Sequence, residues 1–476
     1  MMWQSYTCQR PLDILTQNQE AMVHRGAMQV LETTGVVFDS DEALQILQAA
    51  GCKVERPLNQ VRFPARLVKE CINQCPTSFT LQARNARFNL TLGPPNVYFM
   101  SCPGLFLQDI NTGERRQALL SDVGPMVRLL DALDHIHLAF MPVGSVSDKP
   151  EAVVFEHITA EVMRYTEKVG IGANFQGSAK WIIEMCRVTN QQVRTAMSPT
   201  SPLTYRQHTL EGGLLFARAG FPVLICPGIL MGASGPVTLA GTLVQQTAEQ
   251  LAGATLLQLA VPGTPVMFGS YAHLMDMRSA SPSIGAVEIG LVGVALAQMG
   301  RSYGVPSQSS FPWSDSKVLD EQAAYEKAMQ LVLCGLAGTN LISNGGGLEA
   351  ERLWSPVQAV IDNELNGMMG RILNGIGVSD ETLATSLIQE VGPLPGNFLK
   401  THHTRTQWKS EQFLPRLADR LNYESWVQQG SKDVVAKARE LAREIIRTHR
   451  VPPLPEEQDL ELDRILAAAE AEKLGR

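Results

Sequence analysis

Short apolar runs alternate with longer stretches of helical periodicity along most of this chain. There are eight such pairs, and each apolar run is four to six residues long. The runs are continuously apolar, which is typical of parallel strands covered on both faces by helices. The predicted strands are Val97–Met100, Leu138–Val143, Val169–Ala173, Pro202–Tyr205, Pro222–Cys226, Pro265–Gly269, Val305–Ser309 and Asn340–Ser343.

Eight strand–helix pairs in succession predict an α/β protein built as a closed (β/α)8 TIM barrel. We expect the barrel to span residues 91–375. An N-terminal accessory region would occupy residues 1–90, where residues 78–92 alternate between polar and apolar and indicate a hairpin. A helical C-terminal extension would occupy residues 376–476.

Composition narrows the class of protein. Forty basic and forty-seven acidic residues give a net charge of −7, which argues against nucleic acid as the main partner. No segment reaches the roughly 18 uninterrupted apolar residues of a membrane span. The eight cysteines form no Cys-x-x-Cys pair, so we expect reduced thiols and a cytoplasmic location.

Active sites in such barrels lie where the strands end. Several aromatic side chains fall at or near those positions, although only 6% of the chain is aromatic. Ring faces are natural partners for a quaternary ammonium group, which cannot donate hydrogen bonds. The alternative is that the rings only fill the barrel or its rim. The candidate rings are Tyr205, Phe268, Tyr271, Phe311 and Trp313.

The loop after the last predicted strand, residues 344–349, contains three successive glycines. Glycine lets the backbone approach a ligand closely, so Asn344, Gly346, Gly347 and Glu349 are candidate binding residues. A flexible turn is the alternative. The strand ends offer no convincing set of His and Cys ligands for zinc, and we predict no metal site.

Several motifs together resemble the trimethylamine methyltransferase family, from about residue 20 to about residue 470. Each motif alone is weak, but the combination is specific. The motifs are Gly232-Ala-Ser-Gly-Pro-Val-Thr-Leu-Ala-Gly, Pro262-Gly-Thr-Pro, Met275-Asp-Met-Arg, Asp315-x-Lys317 with Asp320-Glu-Gln-Ala, Gly346-Gly-Leu-Glu, Glu390-Val-Gly-Pro and Pro452-Pro-Leu.

The resemblance implies a (β/α)8 barrel that moves a methyl group from a methylated amine to a Co(I) corrinoid, or cobalamin, held on a separate corrinoid protein. Such an activity belongs to one-carbon metabolism, including methanogenesis. Founding members carry pyrrolysine near the last loop, whereas this chain has only standard residues there. That difference resembles the non-pyrrolysine, glycine betaine methyltransferase-like branch, which demethylates quaternary amines. No cofactor would be tightly bound to this chain.

A substrate of the betaine type also carries a carboxylate. Arg206 or Arg352 would bind it through a planar fork, and His208 or His273 would bind it by hydrogen bonding. Two other functions stay open: a zinc-dependent methyltransferase barrel, and a protein that binds betaine without turning it over. Apolar helices and the long C-terminal extension predict a homo-oligomer.

Overall fold

The structure is a computed structural model that describes residues 5–170, 177–309 and 312–475. The chain begins with short strands and helices that precede the main sheet. They are β1 (Tyr6–Thr7), α1 (Gln17–Gln29), β2 (Val36–Phe38), α2 (Asp41–Ala49), β3 (Lys53–Glu55), β4 (Gln60–Arg62), α3 (Ala65–Ile72), β5 (Phe79–Leu81) and β6 (Leu90–Leu92). Ser40 caps α2 by accepting a hydrogen bond from the amide of Ala43.

Eight parallel strands form the main sheet within the described residues. They are β7 (Asn96–Ser101), β10 (Leu138–Ala139), β11 (Val169–Gly170), β12 (Thr195–Ala196), β14 (Val223–Ile225), β16 (Val266–Ser270), β19 (Ser307–Ser309) and β20 (Leu341–Gly345). Their order is β11-β10-β7-β20-β19-β16-β14-β12, so the last strand pairs with the first. That pairing brings the two ends of the α/β region together, as a barrel requires.

One helix follows each of these strands. The helices are α4 (Leu120–Ala132), α5 (Val154–Tyr165), α6 (Ala179–Thr189), α7 (Gln207–Arg218), α8 (Leu239–Ala260), α9 (Val287–Tyr303), α10 (Glu321–Leu336) and α11 (Pro356–Leu373). Ser355 caps α11, and Pro356 occupies its first turn. The predicted (β/α)8 barrel is confirmed.

The predicted fourth strand, Pro202–Tyr205, is wrong. Thr195–Ala196 provides that barrel strand and pairs with β14. Thr204–Tyr205 forms β13 instead, and it pairs in parallel with β2 of the N-terminal region. Both segments are short and contain apolar residues, so the available partner strand decides which of them joins the barrel.

The barrel interior is mostly apolar, and it is closed at the end where the strands begin. Side chains from alternate strand positions, such as Met100, Leu224 and Met267, fill it. The hairpin of β5 and β6 adds Leu81 and Leu92 to the same cluster. A ligand therefore has to enter from the opposite end, where the strands finish.

Two small sheets cover parts of that opposite end. One contains β15 (Leu230–Met231), β17 (His273–Asp276) and β18 (Ser281–Ser283). The other contains β8 (Phe106–Gln108), β9 (Arg115–Arg116), β21 (Gly347–Leu348) and β22 (Leu353–Trp354). Both sheets are built from loops that follow barrel strands, which is where barrels place their chemistry.

Helix α8 lies between the barrel and the N-terminal region. It contacts β14 and β16 on one side, and α1, α2 and α3 on the other. Residues from Thr242 to Gln258 are almost all buried. Its buried polar side chains are satisfied locally; for example, the Gln250 amide donates to the carbonyl of Gly269 at 2.7 Å.

The C-terminal segment is helical, as predicted. Its helices are α12 (Asp380–Leu383), α13 (Thr385–Val391), α14 (His402–Glu411), α15 (Tyr423–Gln428), α16 (Val434–Thr448) and α17 (Glu456–Leu474). Helix α16 packs on α11 and α4, and α17 packs on α6 and α5. Among the described residues, every helix is too short or too polar to cross a bilayer.

Candidate active site

An aromatic cluster lies at the end of the barrel where β16 finishes. The ring of Tyr271 meets that of Trp313 edge-on, with centroids 5.8 Å apart. His273 packs against the same tyrosine at 4.7 Å. Tyr271 is only partly buried and contacts the side chains of the barrel interior. The cluster thus joins the interior to the open end.

His273 is held neutral. Burial lowers the pKa of His273 to about 4, although the nearby Asp315 carboxylate opposes the shift. The Nδ1 atom lies 3.0 Å from the carbonyl oxygen of Tyr271 and donates to it, which leaves Nε2 as an acceptor. A neutral imidazole adds no positive charge that would repel a bound cation.

The glycine loop, residues 344–347, is fixed from below by a buried ion pair. The ammonium of Lys327 donates to the carbonyl oxygens of Asn344 at 2.8 Å and Gly347 at 3.1 Å. It also lies 3.3 Å from Asp362, whose carboxylate accepts the amide of Gly346 at 2.8 Å. The loop is therefore a rigid wall of the site and not a flexible turn.

Gly347 has no room for a side chain. An added Cβ would lie 2.5 Å from the sulfur of Cys102 and 3.6 Å from the Trp313 ring. Burial raises the pKa of the Cys102 thiol above its usual range, so this sulfur is a packed neutral group. The contact places the glycine loop directly beside the aromatic cluster.

Three residues after the loop adopt left-handed backbone conformations. Glu349, Ala350 and Glu351 have φ values of 53°, 48° and 74°, which is costly for residues other than glycine. The amides of Glu349 and Ala350 donate to the carbonyls of Ser316 and Ser314, which tie the turn to the segment after Trp313. Strained backbone of this kind is concentrated at functional sites.

Glu351 presents a carboxyl group to this region. Burial raises the pKa of Glu351 well above its ordinary value, and its carboxyl group lies near the thiol of Cys102. Glu349 instead points to the rim, where Arg115 holds it at 2.5 Å. The two acidic residues therefore have different environments: Glu349 is ion-paired at the rim, whereas burial favours the protonated form of Glu351.

Other sequence-predicted candidates lie elsewhere. Tyr205 is fully buried against Phe38, with ring centroids 5.2 Å apart, and its hydroxyl donates to the carbonyl of Glu249. Arg206 is exposed and paired with Asp39, and His208 is exposed beside it. These three residues end or follow the misassigned fourth strand, which explains their displacement from the barrel end.

Phe268 also points away from the site. It faces the helix layer and meets Tyr303 edge-on at 6.1 Å, whereas its neighbour Met267 faces the interior. The amide of Asn344 is turned outward to Asn366 at 2.6 Å. Arg352 is exposed near Glu349. Phe311 lies outside the described residues.

Sequence reasoning missed a buried arginine in the barrel interior. Arg194 directly precedes β12 and is only 5% exposed. Its guanidinium reaches 3.8 Å from the sulfur of Met100, near the end of β7, and lies close to the thiol of Cys226 at the end of β14. The side chain therefore rises from the bottom of the barrel toward the aromatic cluster.

Two sequence signals pointed to the missed residues. Arg194 lies two residues before Ala196, so extended backbone places both side chains on the same face, and Ala196 packs on the interior. Lys327 lies four residues after Ala323 and four before Leu331, so helical spacing places a lysine on the buried face of α10.

Within the described ranges, His, Cys, Asp and Glu side chains form no group of three or more able to hold a metal ion.

Comparison with known proteins gives the class first: the relatives of this barrel protein are methyltransferases. The chain belongs to the trimethylamine methyltransferase (MTTB) family, which matches residues 2–473. The glycine betaine methyltransferase of Desulfitobacterium hafniense (strain Y51) is 32% identical over 467 residues and is matched over 96% of both chains. Trimethylamine methyltransferase MttB of Methanosarcina barkeri is 31% identical, over 93% of this chain and 92% of that protein.

A solved structure supports the fold. The crystal structure of the Methanosarcina barkeri monomethylamine methyltransferase (MtmB) superposes with a TM-score of 0.52, at 11% sequence identity. The match covers 91% of this chain and 93% of the other. At this identity the likeness concerns the fold alone.

Proposed function

We propose that this enzyme transfers a methyl group from a quaternary amine of the glycine betaine type to the Co(I) corrinoid of a separate corrinoid protein. The observation that carries the proposal is the pair of Tyr271 and Trp313, set beside a neutral His273 at the open end of the barrel. The similarity to a glycine betaine methyltransferase over nearly the whole chain supports the same substrate class.

The chemistry needs little from the enzyme beyond binding and desolvation. In a quaternary amine the nitrogen is already cationic, so the carbon–nitrogen bond breaks with its electron pair going to nitrogen and a neutral tertiary amine leaves. The corrinoid accepts the methyl group. Positioning and exclusion of water supply most of the rate enhancement in such a transfer.

The described residues fit these tasks. The faces of Tyr271 and Trp313 attract a cation, each by about 0.5–2 kcal/mol where water is excluded. Neutral His273 does not oppose that charge. The glycine loop packs closely against Trp313 and Cys102, which a loop with larger side chains could not do. The corrinoid protein would dock at the same open end, because the β5–β6 hairpin closes the other.

Further observations support a homo-oligomer and a cytoplasmic location. Large apolar side chains stay exposed in the C-terminal extension, including Ile376 at 87%, Leu394 at 92% and Leu399 at 80%. Exposed apolar surface of this kind marks interfaces, which favours a homo-oligomer. The eight cysteines are buried free thiols, and they fit a reducing cytoplasm.

The test is spectroscopic. The purified protein is mixed with reduced corrinoid protein and with glycine betaine, trimethylamine or other methylated amines, and conversion of Co(I) to methyl-Co(III) is followed by absorbance. Conversion with glycine betaine supports the proposal. Conversion with trimethylamine alone would assign the chain to tertiary amines.

The same preparation separates the two alternatives. Tight calorimetric binding of glycine betaine with no methyl transfer to any corrinoid protein would identify a binding protein. Stoichiometric zinc in the purified protein, together with loss of activity on chelation, would identify a zinc-dependent methyltransferase.

A further inference from the structure

Arg194 is a buried cation without an anionic partner in the described structure. It is 5% exposed, and no described Asp or Glu lies within ion-pair distance of its guanidinium. The segment 171–176 contains no acidic residue either. Its Nε atom is buried and lacks a hydrogen-bond partner among the described residues.

A buried charge without a partner costs free energy, so buried charged side chains in proteins are usually paired or hydrogen-bonded. Other buried cations of this chain follow that rule: Lys327 is paired with Asp362, and Lys168 donates to three carbonyls at 2.6–3.0 Å. Among the described residues, the one hydrogen-bond contact of the Arg194 guanidinium is the weak one to the Met100 sulfur. A buried guanidinium without an anionic partner can accommodate a carboxylate, which it binds with two parallel hydrogen bonds.

The position of the guanidinium fits a bound substrate. It lies in the interior at the level of Met100 and Cys226, and Tyr271 packs against the same interior cluster. The hairpin of β5 and β6 closes the barrel below. A short zwitterion entering from the open end would therefore place its anionic end deep and its cationic end at the rings.

We propose that Arg194 binds the carboxylate of the substrate, so that the enzyme selects zwitterionic quaternary amines over quaternary amines that carry no anionic group. The inference rests on the proposed function and deepens it. The carboxylate end anchors the molecule, and the trimethylammonium end lies against Tyr271 and Trp313. One methyl group is then directed toward the open end.

The experiment compares three ligands that share the cationic head: glycine betaine, choline and tetramethylammonium. Binding to the full-length protein is measured by calorimetry, and methyl transfer by the corrinoid absorbance change. The wild type should bind glycine betaine at least about 10-fold more tightly than the other two. That ratio is typical of a charge-assisted hydrogen-bonded pair.

The Arg194→Met variant removes the charge and keeps most of the volume. It should lose about 10- to 100-fold in affinity for glycine betaine and leave the affinity for choline and tetramethylammonium unchanged. Arg194→Lys should recover part of the loss, because a lysine keeps the charge without the fork. Arg206→Met is the matched control, since its guanidinium is exposed and paired with Asp39.

The outcomes separate the two proposals. If Arg194→Met binds glycine betaine as the wild type does, or weakens all three ligands equally, the inference about Arg194 is overturned while the quaternary amine activity stands. If the wild type demethylates no quaternary amine, the proposed function fails and the inference fails with it. A melting temperature of Arg194→Met equal to or above that of the wild type excludes unfolding as the cause of any loss.

Discussion

The ammonium of Lys327 lies 3.3 Å from the carboxylate of Asp362, and both side chains are fully buried. This pair joins three segments of the site. Lys327 holds the carbonyls of Asn344 and Gly347 and approaches that of Pro312, which precedes Trp313. The glycine loop and the aromatic cluster are thus positioned by one ion pair behind them.

Replacing Lys327 with methionine should be strongly destabilising. It leaves the Asp362 carboxylate and two loop carbonyls buried without their donor, and breaking a buried pair in this way costs about 3–5 kcal/mol. Urea unfolding measures the loss. Lys432→Met is the control, because Lys432 and Glu440 form an exposed pair worth about 0–1 kcal/mol. Equal unfolding midpoints for the two variants would contradict the role given to Lys327.

Adding a methyl group at Gly347 should disable the site by collision with one atom. The new Cβ would lie 2.5 Å from the Cys102 sulfur, and overpacking of this kind costs about 1–3 kcal/mol. Gly347→Ala should lower both stability and methyl transfer. The double variant Gly347→Ala, Cys102→Ala should recover a large part of both, because the sulfur is gone.

The double-mutant cycle gives the check. Cys102→Ala alone is the reference for the loss of the buried thiol. If the double variant is as impaired as the sum of the two single variants, the collision with Cys102 is not the cause, and the loop conformation would need another explanation.

Removing the ring of Tyr271 should weaken cation binding. Tyr271→Ala should lower the affinity for glycine betaine and for tetramethylammonium alike, by about 2- to 30-fold, since one ring face contributes about 0.5–2 kcal/mol. Tyr271→Phe keeps the face and should retain most of the affinity. Calorimetric titration measures both.

Phe268 supplies the matched comparison. It lies on the same stretch of chain but faces Tyr303 in the helix layer. Phe268→Leu should cost some stability and leave the affinity unchanged. A loss of affinity at Phe268 similar to that at Tyr271 would show that the ring orientation described here is not the one that binds.

Glu351 should make the protein less stable as the pH rises. Burial raises its pKa in the folded protein above that in the unfolded chain, so the folded state keeps a proton that the unfolded state releases. Stability therefore falls as the pH rises above about 4.5, the ordinary glutamate range, toward the folded-state pKa. Glu351→Gln removes the titration, and its stability gain over the wild type should be larger at pH 8 than at pH 5.

Melting temperatures of both proteins at the two pH values measure this difference. Glu114→Gln is the control, because Glu114 is an exposed carboxylate on the loop before β9. If Glu351→Gln shifts the melting temperature by the same amount at both pH values, the Glu351 carboxyl is not buried as described.

The sequence predicted the positions of the barrel strands better than the directions of their side chains. Pro265–Gly269 was identified as a strand, and β16 occupies nearly the same residues. Both faces of such a strand are buried, so hydropathy cannot distinguish the inward Met267 from the outward Phe268. For this reason Phe268 does not join the aromatic cluster of Tyr271 and Trp313.

The buried charges were hidden for a different reason. Arg194, Lys327 and Asp362 are individually ordinary residues in the sequence, and each acquires its role from partners more than fifteen residues away or from the lack of one. The barrel strand Thr195–Ala196 is also too short to give a recognisable strand pattern in the sequence, and the longer run Pro202–Tyr205 nearby is predicted in its place. The pairing of β13 with β2, which displaced Tyr205 from the barrel, is a contact between segments far apart in the chain.

Helix α8 has one further consequence. Its two flanks rest on different parts of the molecule, the barrel wall on one side and the N-terminal helices on the other. A fragment starting at residue 91 would expose one whole apolar side of this 22-residue helix to water. It would also remove the hairpin that closes the barrel where the strands begin. Tags and fusion partners should therefore be added at the ends of the full chain, because the first ninety residues are needed to cover α8 and to close the barrel.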